Sequence, residues 1–182
     1  MNGENIILVG FMGAGKSVIG RMLAKRLGRC FVETDEMIAA REGRSIPDIF
    51  ATKGEAYFRA RETELLDVLK LKRGDVIATG GGFPCGEGGL EALKAIGTVI
   101  WLTADVETLH ARASRVGRRP LLEGKSVDEI RALHESRVPF YRRAHLTVDT
   151  TGAGVDQVVR RIMTLLREGE PSRGASRPTP MV

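Results

Sequence analysis

The chain has 182 residues, 42% hydrophobic and 28% charged, which is too apolar for a disordered polymer, too evenly polar for a membrane protein, and the size of one domain. Its 28 basic and 23 acidic side chains give a formal net charge of +5, which suits an anionic ligand and by itself also allows weak nucleic-acid contact. Aromatic residues make up only 5%, too few to interleave with the arginines as a base-stacking surface, so no nucleic-acid partner is expected.

In chain order, the first apolar run, 6–9, has no basic flank and stops at Gly10. Neither a signal peptide nor a spanning helix is expected from it, nor a membrane partner, and a cytoplasmic location is. Runs at 6–9, 30–34, 75–79, 98–102 and 146–149 read as five strands. Helix-period apolar positions lie between them: Val18, Ile19, Met22, Leu23 and Leu27, then Leu65, Leu66 and Leu69. Ser126 followed by Glu129 is a capping-box signature opening a helix through Leu133 and Arg137, and Val155, Val158, Val159, Ile162 and Leu166 mark a last helix. Strands alternating with helices imply a parallel sheet covered on both faces, with ligands at the strands' carboxyl ends. The stretch 168–182, rich in Pro, Gly, Ser and Arg, is expected to be a disordered tail. Cys30 and Cys85 have no metal-binding spacing and read as reduced thiols.

The first strand leads into Gly10-Phe11-Met12-Gly13-Ala14-Gly15-Lys16-Ser17, which satisfies G-x-x-x-x-G-K-[ST] and opens a helix. Glycines there let successive backbone N–H groups turn around phosphate oxygens, and the helix N-terminus favours negative charge. Lys16 reaches the β and γ phosphates, and the Ser17 hydroxyl is a ligand for Mg²⁺. A dinucleotide fingerprint fails, because its third glycine would fall on Val18.

A phosphate loop does not name the acceptor. The second strand ends in Glu33-Thr34-Asp35, two acids on one side at the sheet's carboxyl edge. One is suited to the metal's water shell and the other to accepting a hydrogen bond from an acceptor hydroxyl. The alternative makes Asp35 the N-cap of a helix starting at Glu36. Arg59 and Glu62 are three apart on one helix face, so the acid can orient the guanidinium. Arg137 near the end of its helix can join Arg59 in clamping an anion, although each arginine taken singly fits a solvated surface charge. Gly80-Gly81-Gly82 follows the third strand, where a ligand approaching the backbone explains three glycines better than a plain turn.

Together these residues resemble the shikimate kinase family, within the nucleoside-monophosphate-kinase-like group of phosphate-loop proteins. The likeness covers residues 5–166 and rests on the loop at 10–17, Asp35 ahead of Gly43-Arg44-Ser45-Ile46, Phe58-Arg59 with Glu62, Gly80-Gly81-Gly82, Arg119-Pro120-Leu121-Leu122, and Arg137 before Pro139-Phe140-Tyr141. The resemblance implies an α/β three-layer fold with a five-stranded parallel sheet of order 2-3-1-4-5, as one domain over 1–167. Residues 36–62 would form the acceptor-binding region and 112–123 a lid over ATP. It further implies transfer of the γ-phosphoryl group of MgATP to the 3-hydroxyl of shikimate, by a chain acting as a monomer. Lys16, Asp35 and Arg119 would be catalytic. Asp35, Arg59, Arg137, Gly80, Gly81 and Gly82 would hold shikimate, with Phe50 and Phe58 against its ring. Gly13, Ala14, Gly15, Lys16, Ser17 and Val18 would hold the nucleotide with Arg112, Arg115 and Arg119, and the loop 150–154 would lie along the adenine. Ser17 and Glu33 would serve the metal, Glu33 standing where the family pattern often has Asp. A related kinase acting on gluconate or a nucleotide, and a nucleotide-binding module without chemistry, are the alternatives.

Overall fold

The computed structural model describes residues 3–114 and 126–168. β1 (Asn5–Val9) is buried over its whole length, and a strand apolar on both faces belongs in the middle of a parallel sheet. It lies between β3 (Val76–Ala78) and β4 (Gly97–Thr103), with Ile7 level with Ile77 on one side and Val99 on the other. β2 (Phe31–Glu33) adds to β3 and β5 (Leu146–Asp149) to β4, all parallel. The order is β2-β3-β1-β4-β5, as expected. At the edge opposite the phosphate loop the buried Asn5 side chain donates to the carbonyls of Lys72 and Ile96, each at 2.9 Å, and accepts from the Asp75 N–H at 3.0 Å. One amide thus aligns the starts of three strands.

α1 (Lys16–Leu27) and α7 (Val155–Glu168) pack on each other, and α4 (Gly89–Lys94) packs on β4. α5 (Val106–Ser114) meets α6 (Val127–Tyr141), which also rests on a 3₁₀ turn at Phe83–Cys85. α2 (Thr34–Glu42) lies against α3 (Ile46–Leu69), a helix kinked at Gly54, whose φ of 81° breaks the helical path. The Ser126–Glu129 capping box forms: the Glu129 N–H donates to Ser126 Oγ at 3.3 Å, and Glu129 Oε2 accepts from the Ser126 N–H at 2.8 Å.

The strand ends differ from the sequence reading. β2 stops at Glu33 and β3 at Ala78, each short of its predicted end, while β4 extends one residue beyond both predicted ends. Thr34 leaves the sheet to begin α2, and its buried hydroxyl accepts from the Gly80 N–H at 2.9 Å, a tertiary bond that outweighs its β-propensity. Helix α2 therefore starts two residues earlier than Glu36, with Glu33 in the N-cap position, and Asp35 sits in the first turn instead of capping it. Residue 168, expected to begin the tail, ends α7; residues 169–182 and 115–123 of the expected lid lie outside the described residues. No helix among the described residues is long and apolar enough to cross a membrane.

Candidate active site

The carboxyl ends of β1, β2 and β3 open on one cavity of about 710 Å³ that runs from the phosphate loop to α3 and α6. At its phosphate-loop end Gly13 and Gly15 take φ of 81° and 90°, the left-handed region glycine reaches without strain. A Cβ on Gly13 would lie 2.2 Å from the Leu109 carbonyl oxygen, so conformation and space both require glycine there. α1 begins at Lys16 with no side-chain cap and no acid in its first turn, which leaves its first N–H groups suited to an anion. Lys16 Nζ donates to the Gly10 and Phe11 carbonyls at 2.8 and 3.0 Å, folding the ammonium back over the loop.

Gly13, Gly15, Lys16, Ser17 and the exposed Val18 line the cavity. Ala14 does not: its side chain is buried in the core and its N–H closes a turn onto Phe11 O at 3.2 Å. At the far wall Arg112 lies beside Thr150, Ala153 and Gly154. Its guanidinium donates to Thr150 Oγ1 at 3.0 Å and to the Thr150 carbonyl at 2.9 Å, tying α5 to the loop after β5. Arg115 and Arg119 lie outside the described residues.

The Ser17 hydroxyl donates to Glu33 Oε1, and Glu33 Oε2 meets Arg21 at 3.1 Å. Arg21 also reaches Glu36 at 2.5 Å. No cluster of three metal-ligating side chains occurs among the described residues. One hydroxyl and one carboxylate at the mouth of a phosphate loop fit Mg²⁺, which keeps most of its water and takes its remaining ligands from nucleotide phosphates.

At the other end side chains from three helices, α2, α3 and α6, converge. Arg59 of α3 donates to Glu62 Oε2 and to Glu55 Oε1, both at 2.6 Å. Arg137 of α6 is buried, its Cζ 5.7 Å from the centre of the Phe11 ring. Asp35 and Glu62 border the same space. Glu62 Oε1 and Arg137 Nη1 are buried with no hydrogen-bond partner among the described residues. Buried polar groups are nearly always satisfied, so these two atoms mark where a polar ligand belongs. Burial, reinforced by nearby Asp35, raises the Glu62 carboxyl from 4.5 to about 7 against the opposing pull of Arg59 and Arg137.

The three glycines have a reason that the sequence did not reveal. None has a positive φ. A Cβ on Gly80 would stand 2.6 Å from Asp35 Oδ1 and 2.8 Å from Glu62 Oε1, and one on Gly82 would stand 2.3 Å from Arg59 Nη1. The absent side chains make room for the charged groups packed over this loop as well as for a ligand. Phe50 and Phe58 pack with their rings tilted by 43° and their centres 4.9 Å apart, and border the same end. Sequence reasoning treated Glu62 only as an orienter of Arg59, and Tyr141 only as part of a motif. Tyr141 is fully buried, its hydroxyl 2.6 Å from the Gly81 carbonyl oxygen, and its i,i+4 spacing from Arg137 was the available signal. Trp101 stacks on Tyr141 at 6.0 Å between ring centres, and His145 Nδ1 accepts from the Val99 N–H at 3.0 Å.

Comparison with known proteins bears directly on this arrangement. The shikimate kinase family model matches residues 12–167. A shikimate kinase from Symbiobacterium thermophilum is 47% identical over 168 residues, 90% of this chain and 97% of that protein. A shikimate kinase from Acinetobacter baumannii, solved in complex with shikimate, superposes with a TM-score of 0.88 at 39% identity, covering 92% of this chain and 94% of that one. A deoxyadenosine kinase from M. mycoides, at 16% identity and a TM-score of 0.62, shares the fold alone. A phosphate loop and a two-arginine, two-carboxylate pocket in one cavity, together with a family match over most of the length, establish that the chain belongs to the shikimate kinase family.

Proposed function

We propose that this chain transfers the γ-phosphoryl group of MgATP to the 3-hydroxyl of shikimate. The observation that carries the reading is the shared cavity: a phosphate-binding loop at one end and, at the other, two guanidiniums facing carboxylates on a scale suited to a small anionic polyol. Arg59 and Arg137 would take the shikimate carboxylate, Phe50 and Phe58 its ring, and the N–H groups of the Gly80–82 loop its remaining oxygens. Asp35 would accept a hydrogen bond from the attacking hydroxyl and take up its proton as the new P–O bond forms and the bond from the γ-phosphorus to the bridging oxygen breaks, releasing ADP.

Transfer of a phosphoryl group passes through a loose transition state with charge spread over its oxygens, so positioning and electrostatics outweigh proton removal. Lys16 and the N–H groups of the loop supply fixed positive potential where that charge collects. Arg119 would add a second cation, Arg115 would lie near the adenine, and 112–123 would close over the nucleotide. Ser17 and Glu33 would hold Mg²⁺, which when bound neutralises charge on the β and γ phosphates. Residues 1–167 would work as one domain and as a monomer, since one chain lines both ends of the cavity. No nucleic acid enters the reading. Two free thiols, one of them exposed, suit the cytoplasm.

A coupled assay with ATP, Mg²⁺ and shikimate, run beside gluconate and nucleoside monophosphates, tests it. Turnover with shikimate alone is expected. Preference for another acceptor, or ATP binding without turnover, overturns the reading.

A further inference from the structure

The loop after β3 closes with a hydrogen bond from the Phe83 N–H to the Gly80 carbonyl at 3.2 Å, making Gly80–Phe83 a β-turn with Gly81 and Gly82 at its centre. Gly82 has φ −86° and ψ −16°, the third-position values of a type I turn. Types I and II differ by rotation of the central peptide through about 180°. Type II requires a positive φ at the third position, which glycine supplies without strain, so here both orientations are sterically open. The central peptide is the Gly81 carbonyl joined to the Gly82 N–H, and in a trans peptide these point in opposite directions.

One strong contact selects between them. The Tyr141 hydroxyl donates to Gly81 O at 2.6 Å from a side chain with no exposed surface, and Trp101 stacks on its ring. The Cys85 thiol, 3.9 Å from the same oxygen, adds little. Burial raises the Tyr141 phenol, so it stays protonated and remains a donor. With the carbonyl held on the core side, the Gly82 N–H faces the cavity that Gly82 lines, beside Arg59. A flipped peptide would present a carbonyl oxygen there, repelling an anionic acceptor.

We propose that Tyr141 is a positioning residue for the acceptor: its hydroxyl locks the Gly81–Gly82 peptide in the type I orientation and so keeps the Gly82 N–H turned toward the bound anion. The inference rests on the shikimate reading and adds a residue that touches neither substrate. Tyr141→Phe removes the lock and keeps the ring. Leaving a buried carbonyl without its donor is expected to raise the KM for shikimate about tenfold, with kcat and the KM for ATP within about twofold, as loss of uniform binding demands. Trp101→Phe disturbs the same packing without touching the hydroxyl, and should lower Tm while leaving the KM for shikimate unchanged. In the wild-type enzyme the Gly82 amide ¹⁵N–¹H resonance should shift on saturation with shikimate, which keeps the test decisive if the variant folds poorly. An unchanged shikimate KM in folded Tyr141→Phe, an equal rise in Trp101→Phe, or a Gly82 resonance indifferent to shikimate overturns the role of Tyr141 alone. A wild-type enzyme inactive on shikimate overturns the functional reading and this role with it.

Discussion

The phosphate loop draws its anion-binding groups from the backbone of consecutive residues, held open by glycines at positive φ and by the start of one helix. The proposed acceptor end draws on side chains of α2, α3 and α6, with glycines of ordinary φ whose use is to leave room. The first is a local device whose charge complementarity comes from aligned peptide dipoles. The second is a tertiary device in which buried charges balance one another and are individually costly. Damage to the first should therefore fall on chemistry or on the fold, and damage to the second on acceptor affinity.

Lys16→Ala separates them most sharply. Losing the cation that meets the transferring group should lower kcat by about 10³-fold, while the KM for shikimate stays near its original value in steady-state assays. Arg137→Ala should act at the other end. Removing one member of a buried charge cluster costs about 2 to 5 kcal/mol, read as a loss of roughly 10² to 10³-fold in kcat/KM for shikimate with ATP binding by calorimetry intact.

A pair of matched substitutions puts the contrast to a closer test. Gly13→Ala strains a φ of 81° and drives a methyl group into a backbone oxygen, so thermal melts should show a clear loss of stability. Gly82→Ala meets first the end of the Arg59 side chain, which can move aside. Displacing that guanidinium from the ligand should raise the KM for shikimate about tenfold, with little change in Tm. If both variants lost stability equally, the distinction between local and tertiary devices would fail.

The smallest effect concerns Glu62. Its folded value of about 7 lies above the ordinary 4.5, so the native state holds the proton more tightly than the unfolded chain. Stability from this group is fully present below 4.5 and is lost as pH rises through about 7. The Tm of the wild type should decline across that window relative to Glu62→Gln, and the two should run parallel outside it. Ionised Glu62 also holds Arg59 in place, so the wild-type KM for shikimate should fall as pH rises through about 7, and that step should vanish in Glu62→Gln.

The contrast also explains what was legible beforehand. The glycine-lysine-serine run is contiguous and follows a strand, so its geometry was readable from spacing alone. Arg59 and Glu62 were readable as a pair because three residues on a helix place two side chains together. Thr34 was misassigned to a strand because its partner, the Gly80 N–H, is 46 positions away. Glycines 80 to 82 were recognised as exceptional, and the resemblance grouped them with Asp35 and Arg59, yet that those two and Glu62 fill the space a Cβ would need emerged only when the helices packed.

By itself the sequence determined the alternation of strands and helices, the phosphate loop and the capped start of α6, because each depends on residues within a few positions of one another. The resemblance of its motifs to a family supplied the strand order. Tertiary structure alone decided that Arg137 and Glu62 face one another's charge in a buried pocket, that Asp35 lies within a helical turn, and that Tyr141 grips Gly81. Those outcomes depend on desolvation and on close contact between distant segments, and neither exists until the chain has folded.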